Sequence, residues 1–327
     1  MDFKKLKTHL DRLYATFDES YLDSDPLVFV HNYKERLDRE IVGLLASSLA
    51  YGRVDTIKKS ISKILTLMGH SPAEHSPAEH SPAEHSPAEH SPAEHSPAEH
   101  SPAEHSPVGP SPSEFVMALD PKKEKKRFAD FKHRFNDGRD VLCLLYIMRQ
   151  MIEQSGSIGE FFMAGYSPED ANIKNALTSF TERALRLDSA GLYGTKKIPE
   201  KAYLRFFFPS PASGSACKRL NLYLRWMVRH GDNLDLGLWK GVAPSKLVIP
   251  LDTHIARISR FIGLTSKKSP GWTMAEEITE SLKKLDPEDP VKYDFAICRL
   301  GILEECTTRR DPVKCKRCRI EGICITK

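Results

Sequence analysis

The last stretch of this chain restricts its fold more than any other. Cys306, Cys315, Cys318 and Cys324 fall within nineteen positions, separated by eight, two and five residues in a run of arginines and lysines. Thiolates this close along a chain can be gathered onto one metal centre, and the tight Cys315/Cys318 pair can grip it from a single turn. An iron–sulfur cluster held by four cysteines and a structural four-cysteine zinc both suit the spacing. A disulfide framework suits it poorly. Such frameworks belong to short secreted domains, whereas this chain of 327 residues opens Met1-Asp-Phe-Lys-Lys5 without a signal-like apolar stretch.

A second feature removes part of the chain from the fold problem. Residues 71–105 are seven perfect copies of Ser-Pro-Ala-Glu-His, continued by a loop-like Pro/Ser stretch to Pro112. A proline every fifth residue blocks helix and sheet ladders, and alanine is the only apolar side chain besides it. The expectation is a disordered surface insert, with its evenly spaced histidines at most a weak metal binder. The formal charge of +4 therefore understates the folded part: without seven repeat glutamates the other 292 residues carry +11. That balance favours a polyanionic partner. No window reaches the roughly 18 consecutive apolar residues of a membrane span, so a soluble, cytoplasmic protein is expected.

Elsewhere the apolar residues recur at helical spacing. Phe3, Leu6, Leu10, Leu13 and Tyr14 mark a helix over 2–16. Ile41, Leu44, Leu45, Leu49, Ile57, Ile61, Ile64 and Leu65 mark helical structure across 38–68. Asp140 is placed to cap a helix whose face is Leu144, Leu145, Met148 and Met151. Alternating strand patterns are nearly absent, so the chain reads as all-α with roughly ten helices.

Two motifs carry chemistry. Phe208-Pro-Ser-Pro-Ala-Ser-Gly214-Ser-Ala-Cys-Lys218-Arg-Leu220 is a turn running into a helix, with Leu220, Tyr223, Leu224 and Met227 on its core side and Arg219, Trp226 and Arg229 elsewhere. Backbone N–H groups at such a start can bind phosphate. Lys218, in the first turn, is where helix dipole and low solvation would disfavour the ammonium, giving a nucleophilic amine, though a solvated lysine is the ordinary reading. In Leu251-Asp-Thr-His254 the aspartate is a natural N-cap, before a helix with Ile255, Ile258 and Ile262 inward and Gly263 at its end. His254 reads as a hydrogen-bonded structural histidine.

Turn, lysine, Leu-Asp-Thr-His and terminal cysteines occur in the order used by one known group. The chain resembles the helix–hairpin–helix (HhH-GPD) DNA glycosylases of the endonuclease III and adenine-glycosylase type, and looks most like a separate bacterial branch of that superfamily. The tail from Leu300-Gly301 through Cys306, Cys315 and Cys318 is similar to the ending that holds a [4Fe–4S] cluster, with Cys324 as the fourth ligand and Cys298 outside the set. Leu251-Asp252-Thr-His254 is similar to the Val-Asp-Thr-His that bears the catalytic aspartate. Lys218 and Asn221 match the Schiff-base lysine and asparagine of the family hairpin. Leu45 to Asp55 sits where the family faces the extruded nucleotide. There are departures: Ala216 replaces the second hairpin glycine, thirty-three residues separate Lys218 from Asp252, and no glutamine stands in the front segment.

The resemblance implies a two-lobed helical fold. It comprises an N-terminal helix (1–22) packing with the C-terminal lobe, a helical lobe over 23–252 with the insert 71–112, and C-terminal helices with the cluster loop over 253–327. It implies a monomeric, nucleoid-associated DNA repair glycosylase acting on lesion-bearing or mismatched double-stranded DNA. Asp252 and Lys218 would be catalytic, and Lys218 would add AP-lyase activity if its amine attacks the sugar. Tyr51, Arg53, Asp55 and His254 would line the base pocket. Gly214, Ser215, Ala216, Arg219 and Asn221 from the hairpin, with Arg309, Arg310, Lys314, Lys316, Arg317 and Arg319 from the tail, would grip phosphates. Two other readings stay open: a non-catalytic iron–sulfur protein that binds nucleic-acid structure, and a zinc-stabilised interaction module in which Asp252 only caps a helix.

Overall fold

The computed structural model describes residues 2–69, 109–303, 305–307 and 311–325. The expectations for the Ser-Pro-Ala-Glu-His repeat, Arg309 and Arg310 lie outside them. The described chain is mostly helical, and its only strands are the two-residue pair Lys132–His133 and Asn136–Asp137. Fifteen α-helical segments are present among the described residues, more than the ten expected, because several are single turns too short to leave a periodic signature.

Two helices form the centre. Arg36–Leu49 is buried from Glu40 onward, and Lys218–Val228 is buried from Arg219 onward. Gly43 is what lets them touch: a side chain there would begin 2.7 Å from Met227 Cε and 3.1 Å from the Tyr223 ring. Tyr223 donates its hydroxyl to the Glu40 carbonyl at 3.1 Å. Glu40 itself is fully buried, and a carboxylate there costs several kcal/mol unless it is paired and hydrogen-bonded. It is: Arg36 Nε and Trp239 Nε1 donate to one oxygen at 3.0 Å each, and the Ile158 and Gly159 amides to the other at 2.8 and 3.2 Å.

Around this pair the sequence patterns hold with local adjustments. Asp2 caps Phe3–Thr16, whose Leu6, Leu10 and Leu13 are buried. That helix packs against Pro290–Tyr293, Asp294–Ile302 and Glu321–Ile323. The 38–68 region is two helices, Arg36–Leu49 and Val54–Leu67, broken where Gly52 takes φ 104°. Asp140 is not the cap of the next helix. Asp137 caps Gly138–Ser155, accepting from the Arg139 and Asp140 amides, and Asp140 returns the bond to the Asp137 amide at 3.1 Å. Two aspartates three apart form a capping box, and local sequence does not show which one leads.

The long stretch between Lys218 and Asp252 has a structural task. Asp232 and Asp235 pair with Arg229, and Asp235 also with Arg225. Trp239 stacks on Phe162 at 5.4 Å and meets Tyr223 edge-on at 5.3 Å. No helix among the described residues is long and apolar enough to cross a membrane.

Candidate active-site cleft

The chain closes a cleft of about 870 Å³ between six segments: Ser24–Pro26, Ala50–Ile57, Ala202–Phe206, the turn and first helical turns from Ser215 to Arg225, Pro250–His254, and the Asp294–Ile302 helix. Lys218 and Asp252 both line it, despite their separation in sequence.

Each gets there through a helix start. Thr253–Phe261 is capped by Asp252, whose Oδ1 accepts from the Ile255 amide at 2.8 Å. That bond fixes the carboxylate and leaves Oδ2 facing Cys298, whose thiol donates to it at 3.4 Å. Cys298, outside the expected set of cluster ligands, lies on the cleft wall. Burial, reinforced by the charges of Asp252 and Asp294, pushes its thiol far above the ordinary cysteine value, so it stays protonated and able to donate. One helical turn earlier on the same face, burial pushes the Asp294 carboxyl up to about 6; Arg225 opposes that shift and Asp252 adds to it. The Asp294/Cys298 spacing of four, with Arg299 next to it in a helix whose other residues are apolar or glycine, is the signal that could have found this wall.

Lys218 opens its helix behind Cys217, which sits in the left-handed region at φ 48°. Its Nζ donates 3.0 Å to the carbonyl of Ala50, at the C-terminal end of Arg36–Leu49. A cation at that negative end of a helix is favourably placed. The cleft floor is ionic. Arg225 pairs with Asp294 at 2.5 Å, and Arg299 with Asp25 at 2.7 Å.

Several expected contacts fall elsewhere. Arg219 lines the cleft but is buried: it donates to the Ser48 carbonyl at 3.2 Å and to that of Phe206, and burial lowers its pKa to about 10. Asn221 is buried as well, its amide holding the Ala216 carbonyl at 3.1 Å. In the turn, the Gly214 amide bonds Pro211 and the Cys217 amide bonds Ser215 Oγ, so two of its donors are spent internally, while Ser215 and Ala216 line the cleft. Arg53 and Asp55 are exposed outside the cleft, paired with each other at 3.8 Å. Tyr51 does line it, but its hydroxyl is spent on Asn136 Oδ1 at 2.7 Å and the His133 carbonyl at 3.0 Å. His254 lines it too, its ring packed on Gly301, where any side chain would collide.

The cysteine loop docks on the back of this wall. The Cys306 amide bonds Leu300, Arg257 Nη2 bonds the Cys306 carbonyl at 2.7 Å, and the Ile325 amide bonds Phe261 at 2.7 Å. Burial raises the Cys306 thiol, and the nearby Cys318 and Cys324 raise it further; Cys318 is likewise raised by burial and feels Cys315 and Cys324. No three His, Cys, Asp or Glu side chains among the described residues converge into a metal-holding group. Lys314, Lys316, Arg317 and Arg319 are solvent-exposed on and just after Pro312–Lys316, and none lines the cleft.

The profile of a family described as "Protein of unknown function (DUF2400)" matches residues 25–95 and 101–303 of this chain. No curated protein matches it, and no solved structure does.

Proposed function

The chain belongs to the DUF2400 family, and from its cleft, since that membership assigns no activity, we propose that it is a DNA N-glycosylase. The observation that carries this reading is the meeting of Asp252 and Lys218 in one large cleft. A base inside a duplex cannot be attacked at its glycosidic carbon, so the nucleotide must first swing out, at a cost of a few kcal/mol that is least at damaged or mismatched bases. A cleft of this size has room for it. As the base leaves, positive charge develops on the sugar, and a fixed carboxylate stabilises that charge more strongly in a partly buried site than in water. Asp252 suits this task. Its helix amide and the Cys298 thiol hold it from two sides, so little reorientation is needed when charge appears. Water is the simplest nucleophile. For Lys218 to attack instead and cleave the backbone as a lyase, its amine must leave the Ala50 carbonyl and lose a proton.

Cys306, Cys315, Cys318 and Cys324 would hold a [4Fe–4S] cluster. Bound there, the cluster would stiffen the basic loop against the phosphate backbone. Anaerobically purified protein should contain about four irons per chain, and Cys318→Ser should lose them. One zinc and no iron would replace the cluster with a structural zinc.

The deciding experiment incubates purified protein with a panel of duplexes, each bearing one lesion or mismatch, followed by alkaline strand scission. Asp252→Asn keeps the shape of the cap and removes the charge, so it should lower base release by at least about a hundredfold with folding unchanged. No release from any duplex would leave a non-catalytic nucleic-acid-binding protein. Borohydride trapping of wild type but not of Lys218→Gln would add the lyase step.

A further inference from the structure

At the mouth of the cleft stands a group of aromatic side chains that the base-release chemistry does not use. Phe135, Tyr203 and Phe206 are 52%, 60% and 37% exposed, unusually open for large apolar residues. They come from separate parts of the chain and are held together deliberately. Tyr51 lies parallel to Phe135, the planes 1° apart with centroids at 6.3 Å, and meets Phe206 edge-on at 5.0 Å. Asn136, buried behind the hairpin, receives the Tyr51 hydroxyl and donates to the Tyr203 carbonyl at 3.2 Å.

The hairpin that presents Phe135 is strained. Arg134 takes φ 52°, a left-handed conformation that costs an ordinary residue about 1 kcal/mol or more. The strain lays its guanidinium across the faces of Tyr51 and Phe135, at 5.8 and 5.5 Å. Gly52 makes room for this, since a side chain there would begin 2.9 Å from Arg134 Nη1. Below, Arg219 packs on Phe206 at 3.6 Å. Aromatic and guanidinium planes therefore alternate. The surroundings are basic: segments 51–59, 130–139 and 196–206 hold ten lysines and arginines against four carboxylates. Tyr51, Tyr203 and Phe206 also line the cleft, so the patch and the cleft are one continuous surface.

Flat exposed rings, interleaved guanidinium planes and surplus positive charge suit a strand whose bases are unstacked, because only an unpaired base offers its π-face. Intact duplex offers phosphates and groove edges instead. We propose that Phe135, Tyr203 and Phe206 form a stacking platform for unpaired bases of a DNA strand crossing the mouth of the cleft, so that the protein prefers single-stranded or locally opened DNA to intact duplex. This rests on the cleft being a DNA site and adds the strand state it acts on.

The test measures binding of full-length protein, by fluorescence anisotropy at one fixed salt concentration, to a labelled single strand and to the same strand annealed as duplex. Wild type should favour the single strand. Phe135→Ala and Tyr203→Ala should each weaken single-strand binding about tenfold, leave duplex binding within about twofold, and leave the circular dichroism unchanged because both side chains are exposed. Phe135→Leu should fail like alanine and Phe135→Tyr should hold. Variants that bind as wild type, equal losses on both DNA forms, or full affinity with leucine would each overturn the platform while leaving the glycosylase reading intact. Wild type that binds neither form would remove both.

Discussion

Asp294 is the residue where burial and pairing compete most openly. Arg225 lies 2.5 Å away and favours the charged form, yet burial and the neighbouring Asp252 prevail and the folded pKa rises from 3.8 to about 6. The consequence has a definite sign. A carboxyl that binds its proton more tightly when folded stabilises the native state below the unfolded value, and that contribution is lost as pH rises through the folded one. Between about pH 4 and 6, stability attributable to Asp294 should therefore fall with rising pH. Asp294→Asn, which does not titrate, should remove this slope: its stability relative to wild type should climb through that window and level off above it. Urea unfolding of both proteins at several pH values checks this, and a constant offset would show that Arg225 holds Asp294 fully ionised. Cys298 shows why such a wall is hard to read in sequence. On the helix it looks like one more small apolar residue, and only the arrival of Asp252 from 46 positions away gives its thiol an acceptor.

Among the elements, Lys218–Val228 is where sequence reading succeeded at the start and failed along the length. Its turn, its first residue and its apolar face were legible, because these depend on neighbours in the chain. The charged residues off that face are buried too: Arg219 donates to the distant Ser48 carbonyl, and Arg229 at the C-terminal cap pairs with the distant Asp289 as well as with nearby Asp232 and Asp235. The same holds for the cap of Gly138–Ser155, where two aspartates compete and tertiary packing settles the register. Long-range partners also make the helix vulnerable at one point. Arg229 joins Asp232, Asp235 and Asp289, so removing it takes the cation from Asp232 and Asp289 and leaves Asp235 with Arg225 alone. Breaking a buried pair from one side costs about 3–5 kcal/mol. Arg229→Ala should thus lower the unfolding free energy by about that much with an unchanged denaturant slope. A loss below about 1 kcal/mol, the usual worth of an exposed pair, would mean the network is solvated after all.

At the scale of the whole molecule, the described residues on either side of the repeat meet directly. The class of the fold was legible because helical periodicity marks the longer segments outside the repeat, while the cleft was not, because its walls come from six places whose meeting no local pattern encodes. The repeat interrupts neither. Val54–Leu67 runs out through Met68 to Gly69, and the chain returns at Gly109 and Pro110 in direct contact with Gly69: a side chain on Gly69 would begin 3.1 Å from the Pro110 ring. Ser111 then caps Pro112–Ala118 with a complete capping box, so the re-entry is anchored by its own local signal. The described residues that flank 71–105 thus already touch. Deleting them leaves His70 joined to Ser106-Pro-Val108, a bridge of four residues in place of thirty-nine. Each halving of a loop recovers about 0.6 kcal/mol of closure entropy, so three halvings should gain about 2 kcal/mol if the short bridge is unstrained. The shortened protein should melt at or slightly above the temperature of the full chain and bind the same DNA with the same affinity. Calorimetry and the anisotropy titration on both proteins decide it, and a melting temperature lower by more than a few degrees would mean that the repeat makes stabilising contacts.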